Sequence, residues 1–393
     1  MRVPIRPPMP KTISNSMPVS LMRLCIDVPC RLRFFYWFRV LCAQFDDGWK
    51  SHVKRIGIVG GTGYTGVELL RMLATHPGVE VSCLTSRSEA GKTVASLYPW
   101  LSHYGSLSFE EPSIEMLAEC DLVFYATPNK IAMNEASALL DRGVRVIDLA
   151  ADFRFSDVSL WESAYGGPHG APLLIDEAVY GLPEKYRAEI GRARLVGNPG
   201  CYPTASALAM MPLVEAGVLS SPQVIIDGKS GASGAGRSAR TDLIVAEASD
   251  NFHAYAAAGH RHAPEMTHQI SKMGQEVLVT FVPHLLPMIR GIEVTAYVST
   301  SLSLDDAREL FRSRYRDEPS VGVAADDQHP ETRWVRGSNR CVIGVYQQQP
   351  GQLIISSVID NLVKGAAGQA IQNMNLMLGL NELEALPMNA LSP

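Results

Sequence analysis

The residues best suited to do chemistry in this chain stand around Cys201. Asn-Pro-Gly precedes the cysteine at 198–200, and Tyr-Pro-Thr follows it at 202–204. Pro-Gly is typical of a tight turn and proline suits the first turn of a helix, so this spacing predicts that Cys201 stands where a helix begins. The helix dipole favours the nucleophilic thiolate there, and adjacent backbone N–H groups could hold an oxyanion. The alternative, a buried structural cysteine, does not require these turn residues.

A nucleophilic thiol needs a proton partner, and Gly-His-Arg-His-Ala-Pro-Glu at 259–265 supplies two histidines. Pro264 predicts the start of a helix that ends at Gly274. His262 then lies just before the helix N-terminus, where the dipole disfavours imidazolium and keeps the ring ready to accept a proton. His260 is the alternative acid–base group, and a structural role for both is a further alternative. No set of Cys, Asp or Glu completes a metal site with them, so no metal is predicted.

A second group of residues predicts a nucleotide site. Residues 55–60 form an apolar strand pattern, 67–73 a helix pattern, and 79–85 a second strand pattern. Between the first strand and the helix, the glycine turn provides the cofactor-binding candidates: Gly61, Thr62, Gly63, Tyr64, Thr65 and Gly66. Glycines in this spacing allow a tight turn, a close approach of phosphate to the backbone, and close packing of helix on strand. The positive end of the helix then attracts a pyrophosphate.

The end of the second strand distinguishes NADP from NAD. An NAD site usually has an acidic residue there to bind the ribose hydroxyl, whereas this chain has Ser86, Arg87 and Ser88. A guanidinium and two hydroxyls suit a ribose phosphate, so NADP(H) is the predicted cofactor. The alternative is that Arg87 is an ordinary solvated loop residue.

The elements that must position these residues alternate between strand and helix. Strand patterns at 121–127 and 144–150 flank a helix pattern at 131–140, which predicts a parallel, doubly wound sheet. Farther on, a strand at 224–227 leads into a second glycine-rich loop at 228–237, whose amides, hydroxyls and Arg237 suit an anion. A flexible connection is the alternative for that loop.

Composition narrows the class of protein. The chain has 393 residues, of which 46% are hydrophobic and 19% charged, so it can bury large cores and predicts two or three domains. A net charge of −5 argues against general nucleic-acid binding. No apolar run approaches the ~20 residues of a membrane helix. The seven cysteines follow neither a disulfide nor a zinc pattern, which indicates free thiols in a reducing compartment and a cytoplasmic location.

Residues 1–53 differ from the rest of the chain. Prolines interrupt every candidate element, and basic residues outnumber acidic ones. We expect a poorly ordered, non-catalytic extension, with an organelle-targeting segment as the alternative. The segment lacks a small-residue cleavage site after a continuous apolar stretch, which argues against secretion.

Together these motifs resemble the N-acetyl-gamma-glutamyl-phosphate reductase family of arginine biosynthesis, over roughly residue 55 to the C-terminus. The resemblance rests on seven segments: Gly-Tyr-Thr-Gly at 63–66, Ala-Asp-Phe-Arg at 151–154, Tyr-Gly-Leu-Pro-Glu at 180–184, Pro-Gly-Cys-Tyr-Pro-Thr at 199–204, Ser-Gly-Ala-Gly-Arg at 233–237, the His-Arg-His segment at 259–265, and Pro-His-Leu-Leu-Pro-Met-Ile-Arg-Gly at 283–291. The chain departs from many members at Asn129, where they have His, and at Lys130, where they have Gly.

The resemblance implies an α/β fold, with a Rossmann-type NADP-binding domain and an α+β catalytic domain of the glyceraldehyde-3-phosphate dehydrogenase type. The expected domains are residues 54–200 and 201–360, with a closing helix, near 361–378 within the segment 361–393, packed back on the first. Strands are expected near 224–227, 277–282, 292–299 and 341–346. The resemblance also implies a homodimer or homotetramer.

The activity implied is NADPH-dependent reduction of a small-molecule acyl phosphate through a thioester on Cys201, with His262 or His260 as acid–base. A substrate with a phosphate and a carboxylate needs cations, and four arginines in the motifs are candidates: Arg154, Arg237, Arg261 and Arg290. Gly234 and Asn339 are further cofactor-binding candidates. The rival hypotheses are an aspartate-semialdehyde dehydrogenase and a non-catalytic NADP-binding sensor.

Overall fold

A computed structural model describes residues 53–392 of the chain, so the extension predicted at 1–53 lies outside the described residues except for its last position. From Lys54 onward the chain forms one compact unit. Two sheets organise it. Its thirteen described strands are β1 Lys54–Val59, β2 Val79–Thr85, β3 Leu122–Tyr125, β4 Arg145–Asp148, β5 Val179–Tyr180, β6 Leu195–Gly197, β7 Gln223–Gly231, β8 His253–Ala254, β9 Leu278–Leu286, β10 Ile292–Ser299, β11 Val321–Val323, β12 Cys341–Gln349 and β13 Gln352–Ile359.

Helices cover these sheets and connect their strands. The α-helices of the described chain are α1 Tyr64–Leu73, α2 Val94–Leu97, α3 Ile114–Leu117, α4 Ala132–Leu140, α5 Val158–Tyr165, α6 Pro172–Ile175, α7 Pro183–Arg192, α8 Cys201–Ala216, α9 Val245–Ala248, α10 His262–Met273, α11 Leu304–Tyr315 and α12 Gly368–Met377. Short 3₁₀ turns lie at Ser102–Tyr104, Ala232–Ala235, Thr241–Leu243 and Thr332–Trp334, and a π-helical turn at Val363–Ala367 leads into α12.

The first sheet is parallel throughout, in the order β2-β1-β3-β4-β6-β5. Its central strands are buried on both faces, and β3 (LVFY) is buried at every position. Continuous apolar strands of this kind are typical of parallel sheets covered by helices on both sides. The strand order changes direction at β1 and β3, and ligands bind such sheets beyond the carboxyl ends of the strands at that point.

The second sheet is mixed, in the order β11-β12-β13-β10-β7-β9-β8. Strand β10 (IEVTAYVS) alternates strictly between buried and half-buried residues, because one face packs on the core and the other does not. The buried face meets α8, α10 and α11. Helix α8 is buried almost all round, and its residues belong to the core cluster of the second sheet, which also includes Tyr180 of β5 in the first sheet.

The end of the chain returns to the first sheet. Val363, Ala367 and Ile371 belong to the same buried cluster as Ile56 of β1 and Leu69 of α1. Helix α12 thus completes one face of a sheet whose strands were made much earlier in the sequence.

The α/β class with a parallel nucleotide-type sheet and a second mixed sheet is confirmed. The sequence pattern located β2 at its observed bounds and ended α8 at Gly217, which takes the left-handed conformation with φ 66°. It missed β13, which forms a hairpin with β12 and pairs with β10 along its whole length. The predicted strand at 224–227 is also too short, because β7 continues through Gly231 and takes up the first part of the glycine-rich loop.

Candidate active site

Cys201 is the first residue of α8, as its turn residues predict. Gly200 before it is extended, with φ −65° and ψ 154°. A Cβ on Gly200 would lie 2.9 Å from Nε2 of His262 and 3.0 Å from Nη1 of Arg154. Glycine is therefore required here by close approach, and the turn brings a histidine and an arginine against the residue that precedes the thiol.

The electrostatics of Cys201 differ from the sequence-based expectation. Burial raises the pKa of the Cys201 thiol above its usual value. The backbone N–H of Tyr202 and the charge of Arg154 lower it, as a helix start should, but they do not offset burial. The resting group is therefore a thiol at neutral pH, and the nucleophilic form requires a base.

The two histidines differ in burial and in contacts. His262 is the first residue of α10 and only 8% exposed, and its Nδ1 has no hydrogen-bond partner within residues 53–392. Burial, then the charges of His260 and Arg154, lowers the pKa of His262 well below the usual value. Its ring is thus neutral, as the helix start predicts, and neutral imidazole is the form that can accept a proton. The same shift makes the ring a weaker base.

His260 forms its hydrogen bond with the backbone of His262. Its Nδ1 accepts the backbone N–H of His262 at 3.1 Å, and the two ring centroids are 4.8 Å apart. Burial and the charge of Arg261 lower the pKa of His260 to about 4. Because His262 is the histidine that lies against Gly200, the geometry favours it over His260 as the acid–base group.

Two clefts meet at Cys201. One of about 470 Å³ extends from the thiol to the glycine turn of the first sheet and includes Gly63, Asn198, Gly234 and His262 in its lining. The other, of about 410 Å³, lies on the second-sheet side and includes His260, Tyr255 and Arg261. Both volumes suit small-molecule sites. The thiol thus stands where a cofactor cleft and a substrate cleft could join.

The glycine turn fits a dinucleotide. A Cβ on Gly61 would overlap Cδ1 of Leu84, and one on Gly66 would lie 2.7 Å from the carbonyl oxygen of Gly60. At Gly63 the nearest such atom is 3.8 Å away, so the backbone there is open to the cleft. Tight packing at the two outer glycines and open space at the middle one are what a pyrophosphate at a helix N-terminus requires.

The hydroxyls predicted to select NADP lie together at the end of β2. Oγ of Ser86 is 3.2 Å from Oγ1 of Thr62 and 3.4 Å from Oγ of Ser88. Arg87 between the serines is exposed. No carboxylate stands at these three positions, so the site presents donors to a ribose phosphate.

Arg237 reaches from the second glycine-rich loop to the first. Its Nη1 donates to the carbonyl oxygen of Thr62 at 3.0 Å, and its guanidinium lies over the ring of Tyr98, 5.6 Å from the centroid. Gly234 of the same loop lines both clefts. The structure therefore brings the two glycine-rich segments together, although 175 positions separate Thr62 from Arg237.

The other arginines occupy different environments. Arg261 is exposed and lines both clefts. Arg154 is buried and donates to the carbonyl oxygens of Asn198 at 2.7 Å and Leu149 at 2.8 Å. Of the four, Arg261 is the one with a guanidinium open to both clefts.

Arg290 and Asn339 line neither of the two clefts. Arg290 forms ion pairs with Glu68 and Asp360, so carboxylates of the protein already balance its charge. Asn339 is fully buried, donates to Oε1 of Gln372 at 2.9 Å, and lines neither cleft. The structure does not bring Asn339 to the cofactor cleft, because the C-terminal segment covers it.

The departure at Lys130 has a structural consequence. Lys130 adopts φ 74°, a left-handed conformation that glycine adopts without strain. Its backbone N–H donates to the carboxylate of Asp152 at 2.8 Å, and its Nζ donates to the carbonyl oxygen of Gly166 at 2.6 Å. These contacts hold the lysine in that left-handed conformation.

Sequence reasoning assigned no role to three residues that shape the site. Glu265 accepts the backbone N–H of Gly200 at 2.9 Å, and Tyr180 donates to the same carboxylate oxygen at 3.0 Å. A Cβ on Gly365, in the π-helical turn, would lie 2.9 Å from Cβ of Cys201. Tyr180 and Glu265 stand within motifs of the family resemblance, which was a usable signal, whereas no sequence signal pointed to Gly365.

Within residues 53–392, no group of three or more His, Cys, Asp or Glu could hold a metal ion.

Comparison with known proteins defines the family. The model of the semialdehyde dehydrogenase NAD-binding domain matches residues 55–193, and that of the semialdehyde dehydrogenase dimerisation domain matches residues 201–361. The N-acetyl-gamma-glutamyl-phosphate reductase of Pseudomonas aeruginosa is 54% identical over 342 residues, which cover 86% of this chain and 99% of the relative. The reductase of Nitrosospira multiformis is 55% identical over 341 residues, with the same coverage. The chain belongs to the N-acetyl-gamma-glutamyl-phosphate reductase family.

Solved structures show the same fold in more distant proteins. Aspartate semialdehyde dehydrogenase II of Vibrio cholerae, complexed with ASA, superposes with a TM-score of 0.63 at 17% identity, over 83% of this chain and 98% of that one. Aspartate semialdehyde dehydrogenase of Candida albicans, solved with NADP, gives a TM-score of 0.62 at 16% identity, over 83% and 98% of the two chains. The predicted family, fold and nucleotide-binding domain are confirmed. Among the helices of residues 53–392, none combines the length and the apolar composition that a membrane span requires.

Proposed function

We propose that this chain reduces N-acetyl-L-glutamyl 5-phosphate to N-acetyl-L-glutamate 5-semialdehyde and phosphate, with NADPH as reductant, in arginine biosynthesis. The observation that carries the proposal is the placement of Cys201 at a helix start, beside His262 and at the junction of two clefts. Relatives that share more than half of their residues with the chain bear the name of this reductase.

The chemistry of the chain's own residues begins with proton transfer. His262, neutral because burial lowers its pKa, takes the proton of the Cys201 thiol as the sulfur attacks, since burial disfavours the charged form of both groups. The sulfur attacks the acyl carbon, the bond to the phosphate oxygen breaks, and phosphate leaves with that electron pair. A thioester on Cys201 results, which divides one difficult reduction into two easier steps.

A bound NADPH would supply a hydride to the thioester carbon. Backbone N–H groups at the start of α8 would hold the negative charge that develops on the carbonyl oxygen. When the carbon–sulfur bond breaks, the proton held at Nε2 of His262 returns to the sulfur and restores the thiol.

The cofactor and substrate would be held by different groups. The glycine turn 61–66 suits the pyrophosphate and the Ser86-Arg87-Ser88 segment suits the ribose phosphate of NADP. Arg237 adds positive charge beside the turn. Arg261 is the arginine best placed to meet the acyl phosphate or its carboxylate, because it is exposed in both clefts. We assign Arg154 to the support of the cysteine turn rather than to direct contact with the substrate.

We also propose that the protein is a homodimer or homotetramer in the cytoplasm. The outer face of the second sheet carries an apolar row in which Tyr297 pairs with Ile225 on one side and Ile354 on the other. Ile225 is 51% exposed, which favours a covering partner. The four cysteines of the described chain are free thiols, as a reducing compartment allows. Tyr297→Glu should yield monomers in analytical ultracentrifugation, and an unchanged mass would contradict this interface.

The activity is tested by following NADPH oxidation with N-acetylglutamyl 5-phosphate and, separately, with aspartyl 4-phosphate. Rapid oxidation with the first alone supports the proposal. Oxidation with the aspartyl compound alone would identify an aspartate-semialdehyde dehydrogenase. Tight NADPH binding without turnover of either compound would identify a non-catalytic sensor.

A further inference from the structure

A single carboxylate joins three of the motifs that the sequence analysis singled out. Oε1 of Glu265 accepts the backbone N–H of Gly200 at 2.9 Å and the hydroxyl of Tyr180 at 3.0 Å. Its Oε2 accepts Nη1 of Arg154 at 3.3 Å. Glu265 is fully buried and Arg154 nearly so, which makes these contacts strong and their loss costly.

We propose that Glu265 is a positioning residue that fixes the backbone of the Gly200–Cys201 turn relative to His262. The proposal rests on the proposed function, in which Cys201 is the nucleophile. Glu265 itself meets neither cleft: it belongs to the lining of neither the 470 Å³ nor the 410 Å³ cleft. It therefore acts through Gly200.

Helix α10 explains why this residue can do so. His262 and Glu265 are three positions apart on α10, so their side chains share one face of the helix. The first turn of α10 thus carries both His262, the proton acceptor, and Glu265, which fixes the backbone of Gly200 before the thiol. Any shift of α10 moves both groups together, so the distance between base and nucleophile is set by one rigid element.

The backbone is held on both sides of Pro199, which has no N–H of its own. The groups held there by buried charged side chains are the carbonyl oxygen of Asn198 and the N–H of Gly200. Arg154 donates to that oxygen at 2.7 Å, and Glu265 accepts that N–H. The ion pair between Arg154 and Glu265 connects the two holding groups.

Tyr180 completes the set as a donor. Burial, with the neighbouring charge of Glu265, raises the pKa of Tyr180 well above its usual value. The phenol thus stays protonated and donates to the carboxylate. Glu265 meets a backbone N–H, a phenol and a guanidinium, which are the partners an acceptor-only carboxylate suits and an amide side chain does not.

Glu265→Gln is the sharpest variant because it keeps the volume and removes the charge. If the amide oxygen stays toward Gly200, the NH₂ group faces the guanidinium of Arg154; if the amide turns, the contact with Gly200 is lost. We expect kcat to fall about 100-fold, because small displacements of a reacting group cost that much. The KM for NADPH should stay within about 2-fold, since the nucleotide turn is elsewhere.

The second readout is alkylation of Cys201 by iodoacetamide against pH, followed on the Cys201 peptide by mass spectrometry. Glu265 raises the pKa of Cys201 through its charge, so Glu265→Gln should move the alkylation midpoint to lower pH. A residue with only a general structural role would not move it in this direction.

Tyr180→Phe tests the same unit without changing its charge, with Tyr104→Phe as the matched control. Tyr104 is also a buried tyrosine with one hydrogen bond, to the carbonyl oxygen of Leu70, and it lines neither cleft. We expect kcat to fall about 10-fold in Tyr180→Phe, the equivalent of one buried hydrogen bond, and to stay unchanged in Tyr104→Phe. If Glu265→Gln does not fold, this pair decides the question.

The outcomes separate the two proposals. Unchanged kcat and an unchanged alkylation midpoint in folded Glu265→Gln would overturn the positioning role, as would equal kcat in the two Tyr→Phe variants. A wild-type chain that reduces no acyl phosphate would overturn the proposed function alone, because the alkylation profile would still judge whether Glu265 acts on Cys201.

Discussion

Nζ of Lys364 lies 2.6 Å from Oε1 of Glu184, and the two side chains are 0% and 1% exposed. Nζ also donates to Oε1 of Gln372 at 2.9 Å. The pair joins the π-helical turn Val363–Ala367 to α7, and the residue after Lys364 touches Cys201. A buried ion pair thus fixes the π-helical turn that packs against Cys201.

Removing one member of this pair should destabilise the protein strongly. Lys364→Met leaves a buried carboxylate without its cation, and we expect the free energy of unfolding to fall by about 3–5 kcal/mol. The double variant Lys364→Met, Glu184→Leu should recover most of the loss. Urea denaturation measures both. Lys92→Met, which removes the exposed pair with Glu89, is the control and should change stability by less than about 1 kcal/mol. A small loss in Lys364→Met alone would contradict this account.

The same pair makes stability depend on pH. Burial alone would raise the pKa of Glu184, but the charge and hydrogen bond of Lys364 outweigh it and hold the pKa below its usual value. A depressed folded-state pKa contributes stability above the unfolded value of about 4.3, and that stability is lost as pH falls through the folded value. Unfolding curves measured below pH ~4.3 should therefore show a steeper loss for the wild type than for the double variant. Parallel losses would show that Glu184 does not contribute.

Gly365→Ala should impair catalysis more than stability. The added Cβ would lie 2.9 Å from Cβ of Cys201 and 3.2 Å from Cδ1 of Ile359, so the thiol must shift. We expect kcat to fall at least about 10-fold. Gly191→Ala is the control: it lies in α7, where the nearest atom to an added Cβ is 3.8 Å away, and it should keep full activity. Steady-state kinetics of both variants decide the point, and equal activities would argue against close packing at Cys201.

Cys201→Ser should abolish nearly all turnover while NADPH binding, measured by fluorescence titration, remains. A serine hydroxyl is a far weaker nucleophile than a thiol at neutral pH. Rapid quenching of the wild-type enzyme with acyl phosphate and no NADPH should leave the acyl group on the Cys201 peptide in mass spectra. Wild-type rates in Cys201→Ser, or an acyl group on another residue, would refute the thioester route.

Arg87→Ala should weaken the preference for NADPH over NADH. Losing a charge-assisted contact to the ribose phosphate corresponds to roughly 1.5–3 kcal/mol, or a roughly 10- to 150-fold higher KM for NADPH with little change for NADH. Arg316→Ala is the matched control, because Arg316 is also an exposed arginine and lines neither cleft. If both variants keep the wild-type preference, another group selects the cofactor.

The parts of the structure that local sequence determines were predictable. Strand β2, the left-handed Gly217 that ends α8, and the start of α8 at Cys201 all follow from patterns within a few residues. The placement of Cys201 near His262 was predictable from chemical need, since a thiol nucleophile requires a base. The preference for His262 over His260 rests on its place at the start of α10 and stays a prediction.

The other features of the site depend on contacts between segments that are distant in sequence, and local sequence patterns do not show such contacts. Arg290 looked like an anion ligand, but Glu68, 222 positions away, occupies its guanidinium. Asn339 became buried because Gln372 and the C-terminal segment cover it. The expectation of a thiolate at Cys201 considered the helix dipole and could not include the burial that raises the pKa of the thiol.

The return of the chain end to the first sheet bears on how the protein is made. The apolar side chains of β1 and α1 that meet α12 have no cover until Met377 has been synthesised. About 180 residues separate Met377 from the end of β6, the last strand of the first sheet to be synthesised. At ~5–20 residues per second, translation of that stretch takes roughly 10–40 s. During that interval the nascent nucleotide-binding half exposes an apolar surface to solvent, where chaperones can bind it. The half that is translated first is therefore completed last.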